Sequence, residues 1–229
     1  MLSEYRKHTE QRAQQGIPPL PLDAAQTAAL CDLLLAPPKG EEAFLETLLT
    51  ERIPPGVDPA AEVKAALLHA IATGEKKSPV IKPDKAVLLL GTMLGGYNVQ
   101  PLVELLSHAT LGVRAAEGLA KTLLVFDAFN DVAKLADAGN ANAKTVLKAW
   151  ADGAWFNERP ALPDQIEVVV FKVAGEVNTD DFSPAGQAFS RPDIPLHALS
   201  MGETRFVGGN QKIAGLRASG KQVAFVGDV

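Results

Sequence analysis

Up to about residue 158, the apolar residues of the chain recur every three or four positions. Leu30, Leu33 and Leu34 share one helical face, as do Phe44, Leu45, Leu48 and Leu49. Val63, Leu67, Leu68 and Ile71 form a third stripe, and Leu102, Leu105 and Leu106 a fourth. Ala116, Leu119, Ala120 and Leu123, then Val146, Leu147 and Trp150, continue the pattern. A 3.6-residue period of this kind predicts amphipathic helices, each burying one side. Breakers separate the stripes: Pro18-Pro19, Pro37-Pro38, Pro54-Pro55, Pro79, Pro83, Gly95-Gly96 and Gly139. Proline ends a helix because it lacks the N–H and clashes with the preceding turn. In "VDPAAEV", Asp58 reads as an N-cap and Pro59 as the first helical residue, and Pro83 in "KPDKAV" opens the next helix in the same way. The first three double-proline breaks are nearly regular in spacing, which is the rhythm of stacked helical hairpins. No sequence motif is copied between them, so the repeat is structural.

The pattern changes at "NERPALPDQ", residues 157–165, where Pro160 and Pro163 predict a stiff, extended hinge. "QIEVVVFKV" follows, rich in β-branched residues, and predicts a strand buried on both faces. A polar stretch, a short helix in "NQKIAGLRASGK" closed by Gly220, and a second strand in "QVAFVGDV" come next. The expected fold class is therefore α followed by α/β. An all-α helical repeat domain spans residues 1–158, and a small α/β domain spans residues 159–229. A buried strand normally runs on into a turn or helix, so an ending at "GDV" leads us to expect an incomplete α/β domain belonging to a longer protein.

Composition narrows the classes. Of the 229 residues, 47% are hydrophobic and 21% charged, an ordinary globular balance with enough length for a sizeable core. The net charge of −5 gives no global attraction to nucleic acid. One cysteine, Cys31, excludes an internal disulfide and a thiolate metal cluster within the chain. The polar N-terminus lacks a signal-peptide core, and no window is apolar for long enough to span a membrane. The expectation is a cytoplasmic protein without a membrane partner.

Few residues point to chemistry. His8, His69, His108 and His197 are far apart in sequence, and His69 and His108 read as ordinary helix residues. "GTMLGGYNVQP" is glycine-rich but does not follow a strand, so it reads as a helix end rather than a phosphate loop. In "VFDAFNDVAKLADAG", Phe126 and Phe129 fit a core stripe, and Asp127 and Asp131 fit a solvated face or a helix contact. Arg6, Lys7 and Arg12, and again Lys76, Lys77 and Lys82, could meet RNA phosphates, but acidic neighbours dilute both groups.

The stretch "EVNTDDFSPAGQAFSRPDIPLHA", residues 176–198, is different. Asp180 and Asp181 lie just past a predicted strand end, the usual place for ligand sites in α/β sheets. Asp, Ser and Thr also favour turns and caps, so Asp180, Asp181 and Ser183 have a structural reading as well. Arg191 has a planar fork suited to bidentate capture of a carboxylate, and it could equally pair with Asp193 or Asp181.

The runs "PPGVDPAAEVKAALLHAIATGE", "LLGTMLGGYNVQPLVELL", "ADGAWFNERPAL", "FKVAGEVNTDDFSPAGQAFSRPDIPLHAL" and "AFVGDV" together make the chain, over its whole length, resemble the N-terminal part of the bacterial aconitase B family. The resemblance implies a HEAT-like helical domain, then a swivel domain, with a [4Fe-4S] cluster in later domains absent from this chain. It implies a hydro-lyase of the tricarboxylic acid cycle that interconverts citrate and isocitrate, or dehydrates 2-methylisocitrate. Arg191 matches a substrate-binding arginine of the family, and Asp180, Asp181 and Ser183 match the loop lining the same cleft. The helical domain is implied to support a homodimer, a channel towards the active site and RNA binding. The chain alone is expected to be inactive, with no catalytic residue and no metal ligand. The alternative is a helical-repeat scaffold that binds RNA or a protein partner without chemistry.

Overall fold

The computed structural model describes residues 1–15, 19–122, 125, 128–158, 160–187, 197–198, 200–201 and 208–228. Two compact units emerge, one of Pro21–Pro160 with Met1, the other of Leu2–Leu20 with Ala161–Val229.

The first unit is helical, as the periodicity predicts. Its helices are α2 (Ala24–Leu35), α3 (Glu42–Glu51), α4 (Pro59–Ala72), α5 (Pro83–Thr92), α6 (Val99–Leu105), α7 (Gly112–Ala120), α8 (Ala128–Asp137), α9 (Ala141–Asp152) and the short α10 (Ala154–Asn157). Packing runs between alternate as well as adjacent helices: α2 on α4, α4 on α5, α5 on α7 and α7 on α9, with α6 against α8. This is a stacked helical array of the expected type. Its core is aliphatic. Leu30 and Leu34 of α2, Leu45, Leu48 and Leu49 of α3, and Leu68 and Ile71 of α4 are all fully buried. Each such side chain contributes roughly 1.5–3 kcal/mol by leaving water.

Helix starts follow the sequence chemistry. Asp58 Oδ1 accepts from Ala60 N at 2.8 Å, with Pro59 in the first turn. Asp23 and Gln26 form a reciprocal capping box at α2. Asn140 Oδ1 accepts from Ala143 N to cap α9, while its Nδ2 donates to Ser107 Oγ at 3.0 Å. His108 departs from expectation. It lies between α6 and α7, not on a helix, and its Nδ1 accepts from Thr110 N and Leu111 N where α7 begins.

The glycine-rich segment has the structural role read from sequence. Helix α5 ends at Thr92, and buried Asn98 donates to Leu90 O at 2.8 Å and Met93 O at 3.2 Å, satisfying carbonyls at the helix end. Gly91 of α5 faces Gly118 of α7, and a Cβ on Gly91 would stand 3.0 Å from the Gly118 Cα. Two facing glycines let these helices approach more closely than any side chain would permit.

The second unit contains α1 (Leu2–Gln14), strands β1 (Val168–Glu176) and β2 (Gln222–Asp228), the single-turn α11 (Thr179–Phe182), a 3-10 turn at Ala185–Gln187, and α12 (Gly209–Ala218). The segment after α1 folds back on it, with Leu20 N donating to His8 Nε2 at 2.9 Å. β1 and β2 pair in parallel, Val168 opposite Gln222 through Lys172 opposite Val226. Parallel strands need a crossover, and α12, packed on β2, lies in it. Phe171, Phe182 and Phe225 cluster on one face, with ring centroids 5.8 Å apart for Phe171–Phe225 and 5.4 Å for Phe182–Phe225. Lys212 of α12 places its ammonium 5.3 Å from the Phe171 ring centroid.

One expectation needs correcting. β1 buries one face, not two: Phe171 and Val173 are buried, while Val168 and Val170, and Val226 on β2, are exposed. A run of valines reads alike whether one or both faces are covered, because period-2 burial is set by tertiary layers rather than by composition.

Candidate functional site

Because β1 and β2 are parallel, their carboxyl ends lie at the same edge of the sheet. That edge is where ligands bind in α/β folds. The chain leaves β1 through buried Val177 and enters Asn178, Thr179, Asp180 and Asp181. Asn178 Oδ1 accepts from Asp180 N at 2.9 Å and Asp181 N at 3.2 Å, and Asp181 Oδ2 accepts from Asn178 N at 3.0 Å. This is a capping box, and it holds α11 rigidly although the helix is one turn long. Asp180 Oδ1 accepts from Ala185 N at 3.3 Å, bracing the turn that follows. Ser183 ends α11, donating its N–H to Thr179 O at 2.7 Å.

The sequence candidates thus divide. Asp180, Asp181 and Ser183 come together on one turn at the strand end, and the two carboxylates have structural hydrogen bonds there. Arg191, with Asp193, lies outside the described residues.

Sequence reasoning passed over His197, which it weighed only as an isolated histidine. Its Nε2 lies 3.1 Å from Ser183 Oγ. Its own carbonyl accepts from Ser200 N at 3.0 Å and Ser200 Oγ at 2.6 Å, and Ser200 is fully buried. The available signal was that His197, in "PLHA", belongs to the same polar stretch as Ser183.

The helical unit also carries a concavity of about 240 Å³, lined by Val125, Phe129, Trp150, Trp155 and Phe156 among others. Phe129 stacks on Trp150 at 6.0 Å and is half exposed, so it borders this cavity rather than joining the core stripe. Phe126 and Asp127 lie outside the described residues. Asp131 pairs with Lys134 on the surface, as a solvated face requires. Among the described residues, the cavity lining carries no titratable side chain. Between α4 and α6, His69 Nε2 lies 3.2 Å from Glu104 Oε2.

An iron–sulfur cluster does not fit this chain. Cluster iron is held by several thiolates, and the chain has one cysteine. Cys31 is buried, and burial, reinforced by neighbouring Asp32, pushes its thiol up to about 11, so it stays protonated. Among the described residues, no group of three or more His, Cys, Asp or Glu side chains could hold a metal ion. Nor is any described helix long and apolar enough to cross a membrane.

Comparison with known proteins agrees along the whole chain. Residues 4–156 match the family described as Aconitate B N-terminal domain, and residues 168–229 match Aconitate hydratase 2 N-terminus. Aconitate hydratase B of Escherichia coli K12 is 55% identical over 239 residues, an alignment covering 100% of this chain and 28% of that protein. The Synechocystis protein of the same name is 56% identical, with 100% of this chain and 26% of the relative covered. That of Helicobacter pylori J99 is 44% identical, covering 100% and 27%. The chain therefore spans about a quarter of the length of these curated relatives, at their N-terminal part, and on this evidence it belongs to the aconitase B family.

Proposed function

We propose that the chain is the N-terminal portion of an aconitate hydratase, a hydro-lyase that interconverts citrate and isocitrate through cis-aconitate. The observation that carries this reading is the match to aconitate hydratase B over 100% of the chain, including the loop after β1. The role of this portion is substrate orientation. Arg191 clamps a carboxylate of the tricarboxylate through charge-assisted, bidentate hydrogen bonds. The turn of Asp180, Asp181 and Ser183 supports the same loop. The one cysteine of this chain cannot hold a cluster, so the isolated chain is inactive. The site of action is the cytoplasm.

The test is an absorbance assay for cis-aconitate, with citrate or isocitrate supplied. The complete gene product forms it and the 229-residue chain does not. Activity in the chain alone, or none in the complete, cluster-loaded protein, contradicts the reading.

The helical unit serves assembly in this reading, as surface for a second copy and for a channel. The exposed aromatics Phe129, Trp155 and Phe156 around the apolar cavity support that use. Sedimentation of wild type against Trp155→Ser tests it, with dissociation expected. The second reading is a scaffold for RNA or a protein partner, supported by the stacked helices. A gel shift titrated with salt decides the RNA case, since phosphate binding must weaken as salt rises.

A further inference from the structure

We infer that the open face of the two-stranded sheet is a docking surface for the polypeptide that continues beyond Val229 in the complete enzyme, and that Lys172 meets a carboxylate of that segment. The inference rests on the reading of this chain as the N-terminal portion of a longer hydro-lyase. Side chains alternate along a strand, so every second residue lies on the same face of the sheet. The register therefore puts Val168, Val170 and Lys172 of β1 on one face with Gln222, Ala224 and Val226 of β2. The opposite face holds Phe171, Val173 and Phe225, closed by Phe182 and by Lys212 of α12.

The open face has the composition of a covered one. Val168, Val170 and Val226 stand 38%, 55% and 52% exposed, and the residue paired with Val170 is the small Ala224. Solvated sheet faces are polar and belong to antiparallel sheets, whereas parallel sheets carry a layer on both sides. Two strands are also too few for a sheet to be stable by itself. Lys172 is the one charge among these six positions, and it is exposed like the valines. An apolar layer laid over it must offer a carboxylate, because a charge taken out of water needs a charge-assisted partner. The occupant follows from connectivity. Strand β2 runs to Asp228, next to Val229. The chain spans about a quarter of its curated relatives, at their N-terminal part. A segment tethered to the end of β2 meets this face at an effective concentration in the millimolar range. A second copy or a separate protein at micromolar concentration competes poorly with it.

The test is acetylation of Lys172 by an N-hydroxysuccinimide ester, read by mass spectrometry, in the complete, cluster-loaded enzyme and in the 229-residue chain. Rates are taken relative to each protein unfolded in urea. The expected result is that Lys172 reacts about tenfold more slowly in the complete enzyme than in the chain. Val170→Asp, which puts a charge into the apolar contact, restores fast labelling in the complete enzyme. A carbodiimide joins Lys172 to an Asp or Glu beyond Val229 of the same polypeptide, and mixing isotope-labelled with unlabelled enzyme distinguishes this bond from one between copies. Equal rates in a complete enzyme that converts citrate overturn the inference and leave the proposed function intact. Protection without that cross-link, or with a cross-link to residues 1–229 or to a second copy, also overturns it. So does protection that survives Val170→Asp. A complete gene product without hydro-lyase activity removes the premise and overturns both.

Discussion

Leu30, Leu34, Leu45, Leu48, Leu49 and Leu68 of the helical unit are each at or below 1% exposed, whereas Val168, Val170 and Val226 of the α/β unit stand between 38% and 55% exposed. The helical unit satisfies its apolar stripes internally, helix against helix. The α/β unit covers one face of its sheet with an aromatic cluster and leaves valines on the other. Stability and chemistry are divided accordingly. Where burial is dense, polar side chains cap helices or pair on the surface, and the cavity beside Trp150 is lined by apolar side chains among the described residues. Where burial is thin, polar groups gather at the strand ends and make a rigid turn.

The sharpest way to break this comparison is a pair of truncations. Leu68→Ala should cost about 2–5 kcal/mol by urea unfolding, from lost transfer energy and the cavity left behind. Val170→Ala should cost no more than about 0.5 kcal/mol. Equal costs would show that the valine face is covered. A second pair tests close packing. Gly91→Ala drives a methyl into Gly118 and should cost about 1–3 kcal/mol. Gly215→Ala, on α12 with nothing within 4 Å of the added methyl, should stabilise by up to about 1 kcal/mol.

A third pair compares caps. Asp58→Ala should cost about 1 kcal/mol, shifting the thermal midpoint by a few degrees. Asn178→Ala should cost a similar amount and also raise KM for citrate in the complete enzyme, because α11 carries Ser183. An effect of Asn178→Ala on stability alone would separate that turn from function. The smallest effect at neutral pH concerns Cys31. Its thiol should resist a maleimide until urea unfolds the chain. With the folded value raised to about 11, the unfolded chain releases this proton first as pH rises. The contribution is therefore intact below the unfolded value and is lost as pH climbs towards 11. A melting temperature unchanged from neutral pH to pH 11 in wild type relative to Cys31→Ala would contradict that burial effect.

Sequence patterns revealed the helices because tertiary burial follows the same 3.6-residue period that defines them. Asp58-Pro59 and Pro83 marked helix starts correctly since capping is local chemistry. The strands were equally visible in "VVVF" and "VAFV". What sequence could not supply was anything set by a second layer. The exposed face of β1 and the half-exposed ring of Phe129 both depend on neighbours distant in the chain. The same limit applies at the site. Asp180 and Asp181 were visible as candidates because they follow a strand, but their capping bonds emerge only once the turn is built. The partnership of His197 with Ser183 joins residues 14 apart in the chain, beyond the reach of local patterns.

The most direct test of the central claim is kcat/KM for citrate in the complete enzyme carrying Arg191→Lys. Lysine keeps the charge but loses the planar fork. Our account predicts a fall of about a hundredfold with an unchanged unfolding midpoint, corresponding to roughly 2.7 kcal/mol of lost transition-state binding. A kcat/KM within a factor of about two of wild type would contradict it.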